Sequence, residues 1–356
     1  MVFRQKKVFL IVMVMVMVMV MTVMTGKIAA SDRTITDNAG REIKVPADPE
    51  SIVALGPGAL RLVVYLQAQD RVVGVEDFEK KDNKRPYILA HPELAELPSV
   101  GPQFGGEPEL ITAQNPDLIL QTYTTTREAR TLQKKTGIPV AVLVEGGAGT
   151  MYLEQLEQAL GLAARLLNKE DRAQSIIEFY KKRVSDLKQK TRDIDQKDRQ
   201  QAYIGGIGQK GAKGLTSTEP AYPPFSYINV DNVAGEIGQT YSRISPEKLL
   251  EWDPTYLFID EGGYSLALAD LEEKKFSSLS SVQNRRVFGV LPYNYYSTNF
   301  GTLLANSYFI GKTIYPEPFS DIEPKKVSNE IYKFFVGKEV YSQMSDIFGG
   351  FQDEIE

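Results

Sequence analysis

The chain has no cysteine among its 356 residues and a single histidine, His91. Without a thiol there is no disulfide, no thiolate zinc site, no iron–sulfur ligation, no cysteine nucleophile and no lipid-modified cysteine behind a signal. One imidazole excludes sites built on two or three, which removes most zinc and non-haem iron enzymes. A histidine-dependent triad would have to use His91, and no G-x-S-x-G elbow accompanies it. His91 stands in Ala90-His91-Pro92-Glu93, the setting of a surface-loop histidine. Basic blocks are also missing beyond residue 30. Residues 1–30 hold four basic and no acidic residues, so the balance without them is 37 basic against 46 acidic, or −9 in place of −5. Nucleic acid is therefore not an expected partner.

The first thirty residues have their own character. Arg4, Lys6 and Lys7 open the chain, Val8–Val23 is an uncharged run rich in Val and Met, and Thr25, Gly26, Ala29 and Ala30 supply small residues. This is the layout of a secretory signal cleaved after Ala30. The apolar run, about 16 residues, is long for a signal and slightly short for a spanning helix, so an uncleaved N-terminal segment is the alternative. Both readings put the rest of the chain outside the cytoplasm, in the periplasm or at the cell surface.

The length suits two lobes of roughly 100–150 residues. Thr34–Val45 reads as a hairpin about Asp37-Asn38-Ala39-Gly40. Strands are expected at Ser51–Leu55, Arg71–Val75, Asp117–Gln121 and Pro139–Val144, with helices or loops between them, which predicts an α/β lobe with a mainly parallel sheet. From Met151 the period becomes helical through Leu153, Leu156, Leu160, Ala163 and Leu167, and a second run follows through Ala173, Ile176, Tyr180, Val184 and Leu187. No Gly or Pro interrupts Asn168–Asp198, so this stretch reads as a rigid strut. A second α/β lobe has strands at Gln201–Gly205, Tyr256–Asp260 and Val287–Leu291, and helices at Pro246–Trp252, Thr302–Tyr315, Lys325–Val336 and Lys338–Ser345. The expected division is 1–30 signal, 31–150 first lobe, 151–198 connecting helices, 199–345 second lobe and 346–356 tail.

An internal repeat links the two halves. Pro108-Glu109-Leu110-Ile111 leads to Pro116 and the apolar run ending at Leu120. Pro246-Glu247-Lys248-Leu249 leads to Pro254 and the run ending at Phe258. In each, Pro-Glu opens a short helix, since Pro suits the first helical position and an acid beside it meets the helix dipole favourably. A second Pro follows eight residues after the first, then a strand. Two related lobes are the preferred explanation.

Glycine- and hydroxyl-rich segments follow the expected strands: 56–58, 101–106, 122–126, 145–150, 261–265 and 292–302. Ligands of open α/β sheets sit beyond the carboxyl ends of strands, so two lobes facing there would form a cleft. Tyr293, Tyr295 and Tyr296, with Asn299, form the densest aromatic stretch, and Tyr222 and Tyr264 are candidates to join it. Tyrosine combines a flat apolar face with a hydroxyl, which suits a bulky chelate. Arg61 and Arg127 are candidates for gripping carboxylates bidentately. Gly206-Ile207-Gly208-Gln209-Lys210-Gly211 fits G-x-G-x-x-G, with Asp231 twenty residues beyond. However, Gly214, Pro220, Pro223 and Pro224 follow where a helix should open, so a cleft-lining loop is the reading here.

Thr36-Asp37, Gly40-Arg41 and Val45-Pro46, then Arg71–Val75, Val100-Gly101 before Pro108-Glu109, and Asn115-Pro116-Asp117-Leu118-Ile119, together with the long helix, resemble the periplasmic binding proteins of iron-siderophore, haem and corrinoid ABC importers. The resemblance runs from about residue 33 to 345. It implies two Rossmann-like α/β lobes with mainly parallel sheets, joined by a single long backbone helix with little hinge motion. It implies a monomeric, non-enzymatic protein without a cofactor that holds its ligand between the lobes, an iron chelate being expected here and haem or a corrinoid the alternative. It further implies that Glu109 and Glu247, one per lobe, dock onto arginines of the membrane permease dimer. Relatives that bind bare manganese or zinc use several histidines, which this chain lacks. An oxidoreductase on a similar scaffold would need cysteines for its clusters.

Overall fold

The computed structural model describes residues 32–81, 84–146, 151–208 and 211–352. The expected signal and its cleavage after Ala30 lie outside them. No helix among the described residues is long and apolar enough to cross a membrane.

The hairpin forms as β1 (Arg33–Thr36) and β2 (Glu42–Val45), paired antiparallel. Asp37 closes its turn. Its carboxylate accepts from the Ala39 and Arg41 backbone N–H groups and pairs with the Arg41 guanidinium at 2.6 Å. It also accepts from the Val142 N–H, while Arg41 donates to the Val140 carbonyl. The hairpin is thereby pinned to the first sheet.

That sheet contains β3 (Ile52–Leu55), β4 (Val72–Gly74), β5 (Leu118–Thr124) and β6 (Val140–Glu145), all parallel, in the order β4-β3-β5-β6. Its strands are continuous apolar runs, the pattern of a sheet covered on both faces. After β7 (Gln201–Gly205), β8 (Ser217–Thr218) pairs antiparallel with β10 (Ser242–Arg243) outside the main sheet. The second four-stranded sheet joins β7 to β9 (Asp231–Asn232), β11 (Tyr256–Asp260) and β12 (Val287–Val290), again all parallel, in the order β12-β11-β7-β9. Numbered within its own lobe, each sheet has the strand order 2-1-3-4. The repeated Pro-Glu helices, Pro108–Ala113 and Pro246–Trp252, each lead into the third strand of their sheet. The sequence repeat is thus a repeat of topology.

Leu153–Leu167 and Glu170–Lys190 connect the lobes. The second, at 21 residues, spans about 31 Å and buries Ala173, Ile176, Tyr180 and Leu187 along one face. Asn168 turns the chain between them in a left-handed conformation, and its amide donates to Ala47 and Asp48.

The C-terminal helices depart from the expected division. Phe300–Ile314 is buried for nearly its whole length, and Pro324–Val336 packs mainly along it, Tyr332 meeting Thr302, while its end also reaches the first lobe. Phe335 meets Tyr65 with ring centroids 4.9 Å apart, and Arg172 donates to both the Tyr65 and Phe334 carbonyls. His91 is no free loop residue. Its Nε2 lies 2.9 Å from the Val336 carbonyl and its Nδ1 3.0 Å from Glu93. One apolar core consequently runs through both lobes. The segment expected as a tail is also folded through Gln352. Phe351 stacks on Phe309 at 4.5 Å, and Gln352 pairs its backbone with Gly289.

Candidate functional site

A 2-1-3-4 sheet reverses its winding between strands 1 and 3, and a crevice opens there at the carboxyl ends. In the first lobe this point is flanked by Gly56-Pro57-Gly58 after β3 and Thr125-Thr126 after β5. In the second it is flanked by Gly206–Gly208 after β7 and Asp260–Gly263 after β11. Among the described residues no helix opens at the Gly206 loop, and the next one starts at Pro223, so the dinucleotide fingerprint lacks its structural partner there.

The lobes meet along the segment 293–299 of the second lobe. Asn294 and Thr298 form an antiparallel bridge, and the turn between them holds Tyr296 (φ 55°) and Ser297 (φ 70°) in the left-handed region. For residues with a Cβ this costs roughly 1–2 kcal/mol each, so the turn needs outside support. Asn299 braces it from within, donating from its backbone N–H to the Tyr293 carbonyl at 2.7 Å and from its amide to the Tyr293 and Tyr295 carbonyls.

The first lobe supplies the rest. Arg61, buried at the start of the Ala59–Tyr65 helix, donates to the carbonyls of Thr298 (2.7 Å), Tyr296 (2.7 Å) and Tyr295 (3.2 Å). Its guanidinium also lies over the Tyr87 ring, 5.3 Å from the centroid. Gly58 permits this approach: its φ is +83°, and a Cβ there would stand 3.1 Å from Arg61 Nη1 and 3.4 Å from Ser297 Cβ. The Met151 N–H donates to Thr298 Oγ1, and the Tyr123 and Ser297 hydroxyls lie 3.1 Å apart.

Glu76, the first residue after Val75, is the second bracket on the seam. Its Oε2 accepts from the Tyr296 hydroxyl at 2.7 Å and from the Gly56 N–H at 3.0 Å, and its Oε1 accepts from the Gly105 N–H at 3.0 Å. Burial raises its carboxyl to about 7 against these three donors. Burial and the neighbouring Glu76 charge push the Tyr296 hydroxyl far up. Behind Glu76, Glu79 and Arg85 form a buried ion pair at 3.0 Å, and the Tyr87 hydroxyl donates to Glu79. Phe78 packs on Tyr296 at 4.2 Å, and Phe104, 55% exposed, reaches it edge-on at 6.2 Å.

The residues singled out in the sequence separate in space. Arg61, Tyr295, Tyr296 and Asn299 come together at the seam. Arg61 grips the opposite lobe's backbone through both terminal nitrogens, while its buried Nε has no hydrogen-bond partner. Tyr222 and Tyr293 lie in the core and offer no cleft surface: Tyr222 caps the Pro223–Tyr227 helix, and its ring meets that of Tyr293 with centroids 5.6 Å apart. The Tyr222 hydroxyl accepts from Asn306 and that of Tyr293 donates to Glu219. Tyr264 starts the helix Tyr264–Leu271, where a loop was expected, and donates to Gln352. Arg127 stands exposed on the Thr126–Thr136 helix in a shallow groove with Arg130 and Lys134, away from the turn. Glu109 and Glu247 are exposed at their helix starts. Glu76, Phe78, Glu79 and Arg85 escaped sequence reasoning, while Phe104 and Tyr123 were covered only through their segments, 101–106 and 122–126. Of these, Glu76 carried a usable signal, as an acid directly after an apolar strand.

The family model described as periplasmic binding protein matches residues 52–292, the span that holds both sheets and ends at the seam turn. The chain belongs to the periplasmic binding protein family. It is 22% identical to the molybdate-binding protein MolA of Haemophilus influenzae over 329 residues, 86% of this chain and 92% of that protein. The molybdate-bound structure of MolA superposes with a TM-score of 0.70 at 20% identity, covering 86% and 99% of the two chains. A periplasmic solute-binding protein of Veillonella parvula gives 0.69 at 17% identity over 89% and 97%. An Fe3+-hydroxamate transport protein of Saccharomonospora viridis gives 0.53 at 22% identity over 79% and 98%. These likenesses are likenesses of fold.

Proposed function

We propose that this protein is the extracytoplasmic receptor of an ABC importer, and that it captures a compact anionic metal species, a metal oxyanion of the molybdate class, between its lobes. The observation that carries this reading is the charge at the seam. Arg61 and Arg85 are buried there, Glu79 pairs with Arg85, and burial raises the Glu76 carboxyl to about 7, so that it carries only part of a charge near neutral pH. Arg61, which has no carboxylate partner among the described residues, leaves a buried positive charge at the seam that favours an anion in the cleft. Among the described residues no group of three or more His, Asp or Glu side chains is placed to hold a bare metal ion. The match to MolA across most of both chains points the same way. The role is binding and delivery, without catalysis.

A ferric chelate of the siderophore type, the ligand implied by the sequence resemblance, is the second reading. It is favoured by the aromatic lip of Phe104, Tyr296 and Phe78, a surface suited to a larger organic ligand. Calorimetric titration of the purified protein with molybdate, tungstate, a ferric hydroxamate and a ferric catecholate separates the two. Binding of molybdate or tungstate supports the first reading, and binding of a ferric chelate alone supports the second. Binding of zinc or manganese ions and of none of the four compounds refutes both.

A further inference from the structure

The Glu76 carboxylate does more than fill space behind the cleft. It accepts from the N–H of Gly56 at the end of β3, the N–H of Gly105 in the loop carrying Phe104, and the hydroxyl of Tyr296 in the opposite lobe. One carboxyl group therefore joins two binding loops of the first lobe to the strained turn of the second. Two backbone N–H groups and a hydroxyl converging on a buried carboxylate form a cradle for a negatively charged oxygen. We propose that Glu76 is a carboxyl latch across the lobe seam, ionised and gripping in one state and neutral and loosened in the other, and that ionisation lowers the affinity of the cleft for its anionic ligand. The inference rests on the anion-binding reading above.

Two effects act in the same direction. Ionised Glu76 places a negative charge in a poorly solvated position beside the cleft, where it repels a second anion. It also accepts from all three donors, which holds Tyr296 and the Gly105 loop in place. Protonation removes the charge and turns one oxygen into a donor, so the cradle is no longer fully matched and the Tyr296 side is released. The surrounding groups do not cancel the change. Arg85 is paired with Glu79, Arg61 is engaged by three carbonyls, and Tyr87 donates to Glu79. The Glu79 charge itself favours the neutral form of Glu76. Burial places the transition at about 7, so small changes of pH outside the cytoplasm would alter the grip on ligand.

The test is titration of molybdate and a ferric hydroxamate into the purified protein between pH 6 and 8.5, with carbon-13 NMR of the glutamate carboxyls reading the latch without ligand. The wild type should bind at least tenfold more weakly at pH 8 than at pH 6. Glu76→Gln should lose that dependence and stay near the acid-side affinity. Tyr296→Phe removes one donor to the ionised carboxylate and should move the midpoint to higher pH. An unchanged profile in Glu76→Gln, or an unmoved midpoint in Tyr296→Phe should the first variant not fold, overturns the latch. A carboxyl that titrates near neutrality in a protein that binds neither probe at any pH refutes the anion reading, and the ligand-gating role falls with it. A Glu76 carboxyl titrating near 4.5 refutes the latch alone.

Discussion

Arg61→Ala is the sharpest perturbation of the seam. Wild-type Arg61 makes three charge-assisted hydrogen bonds to carbonyls of the opposite lobe, two of them at 2.7 Å, from a buried position. Bonds from a charged donor contribute about 1.5–3 kcal/mol each, and a buried carbonyl left without its partner costs about 1–3 kcal/mol. At the low end the three bonds amount to about 4.5 kcal/mol. Part of this, about 1.5 kcal/mol, is recovered as the turn relaxes some of the left-handed strain at Tyr296 and Ser297. A net loss of about 3 kcal/mol is expected, a factor on the order of 100 in the folding constant. Urea unfolding followed by circular dichroism measures it, with an unchanged slope showing that the surface exposed on unfolding is the same. Arg61→Lys keeps the charge but lacks the planar fork that reaches three carbonyls, so it should lose about 2 kcal/mol. A loss below about 1 kcal/mol in the alanine variant would show that the turn stands without Arg61 and that the clamp is misassigned.

Two further outcomes follow from the same structure. Burial raises Glu76 to about 7, Asp260 to about 7 and Glu261 to about 8, so the folded chain retains protons that the unfolded chain releases above about pH 4.5. Their stabilising effect is complete below that pH and is lost as pH rises toward 8. The melting temperature should therefore be several degrees higher at pH 5 than at pH 8, and a flat or opposite trend refutes the burial argument. Glu109→Lys with Glu247→Lys alters two exposed helix-start acids. Stability should fall by no more than about 2 kcal/mol, since each acid meets its helix dipole for roughly 0.3–1 kcal/mol, and ligand affinity should be unchanged, while uptake through the cognate importer is abolished. Normal uptake would remove their docking role.

Local chemistry made much of the fold legible. Pro246–Trp252 and Tyr256–Asp260 were expected at the boundaries the structure gives, because Pro at the first helical position and an apolar run are decisive over short distances. The long connector was readable for a similar reason, since its apolar period has no breaker within it. The Pro324–Val336 helix shows where reading stops. Its apolar face is plain in the sequence, but periodicity does not say which surface that face covers, and it covers both the Phe300–Ile314 helix and part of the first lobe. Tyrosines failed as markers of the cleft because a core and a binding surface both favour them. Tyr222 and Tyr293 fill the core and Tyr296 lines the seam. Glu76 was overlooked because its importance comes from Gly56, Gly105 and Tyr296, which lie 20, 29 and 220 residues away in sequence.

The return of Pro324–Val336 to the first lobe also bears on how the chain is made. Tyr65 and His91 emerge early from the ribosome, yet their partners Phe335 and Val336 are added near the end of synthesis. The N-terminal half thus cannot complete its core as an independent unit, and its closing contacts have large sequence separation, which slows folding. If an extracytoplasmic protein is exported before it folds, such delay would keep its chain unfolded for longer. Once outside, the same late helix makes folding close to all-or-none, so a truncation before residue 336 should leave a species that neither half can rescue.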